Sequence, residues 1–413
     1  MAIKWKNSQR FQPELVIKKI GSSRNIDASG GVSFSDFNVQ ADVLVLCSML
    51  NFPAAAEDFD TSALVWRGLF GAGENLTSPD FLVAINKEFD RLLASKESIY
   101  YLLTSMSIDS SDVPRRVKIL DADINFLRTG FRRKFSLARN QLLSEYREQI
   151  SVAPHGYCNI TIKIKSKSAD GAISKAFKAL DLQRSLWCLM GNVSMQYSFG
   201  GAQFKPINAI RLGAAHTLHT EEGDRATNGI WFEPEFKETK VHKFKNMKVV
   251  NKNCRWAYKK ISQCSYGEKI ISALLRYVRA LDDSDQNAAF VRLWGAVESL
   301  ASPVYADYDK VVQRCAAFFV DDKYHRQVLE HLRDYRNKNI HAGEDSDRAR
   351  LYCFQLQTYA RELIWFHIHN AEYFHSLDEA NVYNDLLAGR DRLSRQLELL
   401  RKAFRWANPK SVS

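Results

Sequence analysis

The sequence predicts an α+β N-terminal region followed by an all-α, up-and-down helical bundle. Three observations carry that prediction. In "YCNITIKIKSKS", Cys158, Ile160, Ile162 and Ile164 alternate with polar residues, the period of a half-buried strand. In "GAISKAFKALDLQRSLWCLMGN", apolar residues recur at helical spacing and stop at Gly191-Asn192, a C-cap pattern. After about residue 260 the strand patterns cease. The helical segments beyond it are joined by short connections such as "DDS", "SPVYA" and "GEDS", and short connections place consecutive helices antiparallel.

Taken in order, "SPDFLVAINKEFDRLLAS" reads as a helix with Ser78 as its N-cap and Pro79 at the first helical position. "NVSMQYSF" and "GIWFEPEF" read as strands. Helices are expected at 267–281, 285–301, 307–320, 322–342, 346–374 and 378–405, with Pro303 in a loop where it does no harm. A chain of 413 residues is long for one ordinary core. Two domains are therefore expected: residues 1–255, α+β, whose role is open and includes sensing or regulation, and residues 262–413, the helical bundle.

Hydrophobic content of 46%, with 12% aromatics, suits globular folding and excludes a collagenous or disordered chain. The N-terminal "MAIKWKNSQRFQPELVIKKI" has no apolar signal core, and the longest apolar run, "ADVLVLCSMLNF", is far short of a membrane span. A soluble, cytoplasmic protein with no membrane partner is the expectation. The seven cysteines are scattered singly, without zinc-like spacing, and read as reduced thiols mostly packed in cores. "HIH" at 367–369 lacks partnered carboxylates, and no Walker, dinucleotide or nucleophile-elbow motif is present. No metal and no cofactor is expected.

The net charge of +11 is spread along the chain, with 33 basic against 26 acidic residues up to residue 250 and 25 against 21 after it. A local maximum falls in "FKETKVHKFKNMKVVNKNCRWAYKK", which holds nine Lys/Arg and one Glu interleaved with aromatics. Lys243, Lys245, Lys248, Lys252, Arg255, Lys259 and Lys260 form the candidate phosphate-contacting strip. A solvated, lysine-rich linker explains the same composition equally well.

The segment "LRDYRNKNIHAGED" (Leu332 to Asp345) places Arg336 five residues before His341. Spacing alone says little. With 30 Arg and 10 His, chance supplies about two Arg–His pairs four to six apart, and four are present: Arg211–His216, Arg326–His331, Arg336–His341 and Arg361–His367. Context separates them. On a helix Asn337, not Arg336, lies one turn below His341, with Arg336 flanking that row. Gly343 stops the helix just beyond, where fraying would free His341 to turn inward. An amide, an imidazole and a guanidinium at a helix end can hold a phosphate and move a proton. Arg326–His331 lacks the Asn, Arg211–His216 falls in a strand or loop, and Arg361–His367 lies in an apolar run where it packs.

Two charges interrupt apolar faces. Glu298 lies four residues after Trp294, and Arg314 falls between Val311 and Phe318. A lone buried charge is costly and a pair is tolerable, so both are expected inside the bundle, near each other or near Arg336. An ion pair that fixes helix register is the simpler explanation of the same spacing.

The order "LWGAVESLAS", "RCAAFF", "LRDYRNKNIHAGE" and a long amphipathic helix resembles the Apea-like branch of the HEPN superfamily, over roughly residues 265–375. The matching positions are Trp294, Glu298, Arg314 and "DYRNKNIHAG". Three departures stand out: Tyr335 sits two positions late, immediately before Arg336; Ala342 is inserted before Gly343; and Val297 replaces a leucine before Glu298. The resemblance implies a metal-independent endoribonuclease, a regulated effector in bacterial antiviral defence or a toxin-like system. Arg336 and His341 would be its catalytic pair and Asn337 a supporting polar residue, with Glu298, Arg314 and Tyr335 around them. RNA would be the partner, and a homodimer through the bundle would complete the site. An unknown trigger or regulator would act on the N-terminal domain.

The chemistry suits these groups. An RNA 2′-hydroxyl attacks its own phosphate and leaves a 2′,3′-cyclic end. His341 takes the 2′-proton or protonates the leaving oxygen, and Arg336 neutralises the phosphorane. One Arg and one His cannot readily serve as base, acid and anion clamp together, whereas two copies across a two-fold can. Two other readings stay open: a non-catalytic module that binds nucleic acid, nucleotide or a partner protein, and a purely structural scaffold.

Overall fold

The computed structural model describes residues 2–28, 31–74, 76–111, 113–148, 150, 155–196, 205–233, 236–303, 307–389 and 392–407. The chain begins with β1 (Lys4–Trp5), α1 (Pro13–Ser23), the antiparallel pair β2 (Arg24–Ile26) and β3 (Val32–Phe34), α2 (Val39–Met49) and β4 (Leu50–Asn51), which pairs with β1. A 3₁₀ turn at Ala54–Asp58, α3 (Thr61–Gly71) and α4 (Ser78–Leu93) follow. The cap of α4 is Thr77, not Ser78. Thr77 has the extended backbone a cap needs (φ −112°, ψ 161°), and its hydroxyl accepts from the Asp80 N–H. Ile17, Leu46, Val65, Leu69, Phe81 and Ile85 bury their side chains in a core private to these elements. Gly68 lets α3 close on α4, since a Cβ there would lie 2.9 Å from that of Ile85.

The sheet follows: β5 (Ser98–Met106), β6 (Arg116–Ile119), β7 (Ala122–Leu127), helix α5 (Arg133–Glu145), β8 (Cys158–Ser166), helix α6 (Ala169–Gly191), β9 (Ala215–Thr220) and β10 (Trp231–Phe232). Its order is β10-β9-β5-β8-β7-β6, and every neighbouring pair is antiparallel. The expected alternation of Cys158, Ile160, Ile162 and Ile164 is that of β8, all four buried. Register sorts the faces. Val117, Ile124, Ile162, Leu102 and Leu218 stand in one row across five strands, on the face that packs against α6. The adjacent row reads Lys118, Asp123, Lys163, Tyr101 and His219, so the opposite face is polar and cationic toward β6. "NVSMQYSF" is no strand over its described residues, 192–196, and its remainder lies outside them. Of "GIWFEPEF" only Trp231–Phe232 is strand, with residues 234–235 outside the described set.

An all-helical region completes the chain: α7 (Met247–Gln263), α8 (Gly267–Ala280), α9 (Gln286–Ala301), α10 (Tyr308–Ala316), α11 (Asp322–Ala342), α12 (Ala349–His369), α13 (Leu377–Ala388) and α14 (Leu393–Ala407). It opens at Met247, earlier than strand patterns alone suggest. The basic segment that reads equally as a linker is helical there, because Met247, Cys254, Ala257 and Ile261 give α7 an apolar stripe. α10 ends at Ala316 rather than 320, and α12 is shorter than 346–374 at both ends. The segment expected as one helix over 378–405 is two. α13 ends at Ala388, Gly389 follows as its C-cap, and α14 begins at Leu393.

The sheet, α6 and the helical region share one continuous core, running from Leu102 through Leu186, Leu274, Leu293 and Leu332 to Ala380. Trp187 of α6 lies against Phe126 of β7, ring centroids 5.3 Å apart, and the same helix packs on α8. All seven cysteines are free, five of them buried. Among the described residues no helix is long and apolar enough to cross a membrane, and no group of three His, Cys, Asp or Glu is placed to hold a metal ion.

Candidate active site at the end of helix 11

Helix α11 starts at an Asp321 cap, whose carboxylate accepts from the Tyr324 N–H, and ends at Gly343 in the left-handed region (φ 66°). The Gly343 N–H reaches the carbonyl of Asn339 at 3.1 Å, and the Glu344 N–H that of Lys338 at 3.4 Å, the double bond of a Schellman stop. The inward face of α11 carries Leu329, Leu332 and Tyr335; Arg336 and Asn337 follow half-buried, and His341 is exposed.

Arg336 is the most constrained polar side chain of the group, 13% exposed. Its guanidinium lies on the Tyr308 ring, Cζ 4.6 Å from the centroid. Nη2 is 3.7 Å from Glu298 Oε1, and Nη1 donates to Asn337 Oδ1 at 3.3 Å. Glu298 is fixed in turn by the Trp294 Nε1–H, which donates to it at 2.8 Å. The Arg336 Nε is buried and has no hydrogen-bond partner among the described residues. A guanidinium with its plane fixed and donors to spare is the arrangement that grips a phosphate.

The remaining expected residues divide. Glu298 meets Arg336. Arg314 meets neither of them: it is buried, and its Nε and Nη2 donate to both oxygens of Asp385 on α13 at 2.6 and 2.7 Å, while Nη1 donates to the Ala301 carbonyl. Its spacing fixes the face it occupies, and a carboxylate 71 residues later supplies the partner. Tyr335 belongs to the core, its ring 4.8 Å from both Phe290 and Tyr352. Its hydroxyl donates to Asn287 Oδ1, which also accepts from the Ser346 N–H at 2.9 Å. Asn287 thus ties the loop after His341 back to α9. α11 is helical through Ala342, so His341 is held at the helix end rather than turned inward. No hydrogen bond or ion pair reaches its ring among the described residues, from Arg336 or any other side chain.

The other Arg–His pairs have structural work. His216 on β9 is buried between Thr104 Oγ1 (2.6 Å from Nδ1) and Glu233 (3.4 Å from Nε2), and burial lowers its pKa. Arg211 bonds the carbonyls of Lys237 and Asp282. His367 is buried, its Nδ1 3.3 Å from the Tyr266 hydroxyl, and burial pushes its pKa down to about 3. Arg326 on α11 bonds the Ala388 carbonyl.

Sequence reasoning misses a network between the sheet and the helices. Arg184 of α6, wholly buried, bridges Asp181 at 2.8 Å and Asp282 at 2.7 Å. Arg279 of α8 bridges Asp181 and Glu233 at 2.5 and 2.9 Å. Burial would raise the Glu233 carboxyl, but the His216 hydrogen bond and Arg279 outweigh it and hold it well below the usual carboxylate range. Arg184, Arg211 and Arg279 face Asp181, Asp282 and Glu233, so the charges balance, and the network fastens α6 and α8 to the sheet.

The basic strip does not form one surface. Lys243 bridges Asp109 at 3.4 Å and Lys260 bridges Glu372 at 2.6 Å. Lys248, Lys252, Arg255 and Lys259 are exposed on α7, and Lys245 is exposed just before it.

No protein-family description matches the chain, and neither a curated protein nor a solved structure does.

Proposed function

We propose that the chain is a metal-independent endoribonuclease in which Arg336 and His341 act on a scissile RNA phosphate. The observation that carries this reading is the state of Arg336: its plane is set by Tyr308, Glu298 and Asn337, and its buried Nε has no hydrogen-bond partner among the described residues. Asn337 lies one turn before the exposed His341. In this reading Arg336 stabilises charge on the phosphorane, and His341 moves a proton at the 2′- or 5′-oxygen. The oxygen that attacks and the oxygen that leaves belong to the RNA itself, so the products are a 2′,3′-cyclic phosphate and a 5′-hydroxyl.

No hydrogen bond joins Arg336 and His341 among the described residues, which favours a site completed by a second copy. Biologically the reading fits a regulated effector in antiviral defence or a toxin-like system. The test is end-mapping of RNA from host cells expressing wild type, Arg336→Ala or His341→Ala, with and without phage challenge, alongside purified protein on a panel of RNAs. Cyclic-phosphate ends with wild type alone support the reading. No cleavage by wild type in any condition, or cleavage surviving both substitutions, ends it.

One observation favours a second reading, a non-catalytic module. Glu298 already offsets the Arg336 charge, as an ordinary interior pair would. That reading expects salt-sensitive RNA or nucleotide binding with no products.

A further inference from the structure

A strongly cationic surface lies away from Arg336, joining Lys248 and Arg255 of the basic strip to sheet residues that sequence reading does not associate with them. Two grooves meet at the edge strand β6. One, of about 390 Å³, runs over the polar face of the sheet between β7, β8 and the start of α5, and takes in Arg115, Arg116, Arg128, Arg132, Lys134 and Lys163. The other, of about 500 Å³, lies between β6 and α7 and takes in Arg116, Lys118, Lys248 and Arg255. Arg116 lines both, so they form one track across the sheet edge. Asp123 is the one carboxylate among the lining residues, and Arg116 already engages it at 2.7 Å.

The sheet register explains the sign of the surface. The alternation that sends Ile160, Ile162 and Ile164 inward onto α6 leaves Lys163, Arg116 and Lys118 outward. α7 then adds Lys248 and Arg255, two turns apart on one face, and the helix Met247–Gln263 contains no acidic residue. Arg115, Arg132, Lys248 and Arg255 are exposed and form no ion pair among the described residues, and Lys118 lies across the strands from Asp123, which Arg116 already holds. Such clustering destabilises the free chain through self-repulsion and points to an anionic occupant. Tyr101 adds a half-buried ring, with the Lys134 and Lys163 ammoniums 5.6 and 5.9 Å from its centre. Cations along a groove, with an aromatic face beside them, are what a single strand takes: phosphates on the cations and a base on the ring.

The geometry points to this track as a binding surface for single-stranded RNA, its backbone running from Tyr101 over Arg116 to Arg255. The choice of RNA rests on the ribonuclease reading; the track itself does not. Binding is measured by fluorescence anisotropy, with a labelled oligouridylate and the full chain carrying His341→Ala, a residue outside the track whose loss should slow any turnover of the probe. Arg115→Glu, Lys118→Glu, Lys248→Glu and Arg255→Glu together should weaken binding at least tenfold and flatten the slope of log K against log salt by about 3.

A control reversing Lys96, Lys269, Lys323 and Lys402, exposed cations elsewhere, should stay within about twofold of the parent, as a nonspecific charge effect would not. The milder Lys118→Gln/Arg255→Gln pair should give an intermediate loss, which keeps the test readable if the fourfold variant misfolds. The proposal is overturned if the parent binds no RNA at low salt, if track and control variants weaken equally, or if a blunt duplex competes as well as the single strand. Absence of cleavage by wild type would remove the ribonuclease reading without touching this result, and absence of binding would leave the His341 experiment intact.

Discussion

Arg336 and Glu298 face each other between α11 and α9 with Nη2 and Oε1 3.7 Å apart. That is longer than a hydrogen bond, so the carboxylate orients the guanidinium by charge without occupying its N–H donors. Arg336→Ala should therefore lower RNA cleavage by at least about 100-fold, the scale seen when one donor to a developing anion is removed. Stability should fall by only about 1–2 kcal/mol, the scale of one partly buried charged hydrogen-bonding group. Arg336→Lys should not restore activity, because an ammonium is a point charge without the planar fork. Single-turnover cleavage and thermal melts of the two variants check this. Wild-type rates in Arg336→Ala would end the assignment.

His341 is exposed and bonded to nothing among the described residues. His341→Ala should shift stability by less than about 0.5 kcal/mol, as for surface positions generally. Cleavage should fall by about 100-fold or more, as when a general acid or base is lost. Gly343→Ala is the informative companion. Its Cβ would meet nothing within 4 Å, so any loss comes from holding alanine at φ 66°. About 1 kcal/mol is expected, with partial loss of cleavage as the helix end relaxes. A Gly343→Ala protein as stable as wild type would show that the Schellman stop does not hold.

Arg314 and Asp385 should behave as a structural pair. Arg314→Met removes two bonds to a carboxylate whose side chain is 39% exposed and leaves the Ala301 carbonyl unpaired. A loss of about 2–3 kcal/mol is expected, below the figure for fully buried pairs because water reaches Asp385. Any cleavage by the folded fraction should match wild type. A specific loss of rate at unchanged stability would place Arg314 in the site after all.

Acid should destabilise the chain before its carboxylates titrate. Burial pushes the His367 pKa down to about 3, and burial also lowers those of His216 and His219. In the unfolded chain these rings return to the ordinary value near 6.5. Below that pH the unfolded state takes up protons that the folded state refuses. The stability from burying neutral rings is thus complete above about pH 6.5 and is lost as pH falls toward about 3. Melting temperatures should drop between about pH 7 and 5, with a shallower slope in His367→Phe. Equal slopes in the two proteins would remove His367 from the account.

The helical half was legible because its signals are local. α11 runs from Asp322 to Ala342, as the pattern over 322–342 predicts, since an Asp cap and a glycine stop bracket it. Glu298 was findable as a charge on an apolar face. The same filter applied to "ALDLQRSLW" would have exposed Asp181 and Arg184, both buried on α6. Partners were not legible: helical spacing places Arg314 inside without saying that Asp385 waits on α13. Nor could composition locate the cationic track. Arg116, Lys134, Lys163 and Arg255 come from four elements and converge only through strand register and the docking of α7. The lysine-rich run that composition highlights contributes two of its cations, Lys248 and Arg255, to that track.

α6 is one beam under two structures, its side chains in the sheet's core at one face and against α8 at another. Any swing of the helices against the sheet would have to shear that shared packing. The lobe before residue 94 is built differently. Its core is separate, and it meets α6 through Asp58, which bridges Lys175 at 2.7 Å and whose carbonyl takes the Ser168 hydroxyl. The sheet and the helical region are thus joined by shared apolar packing through α6, whereas that lobe meets α6 through polar contacts at Asp58.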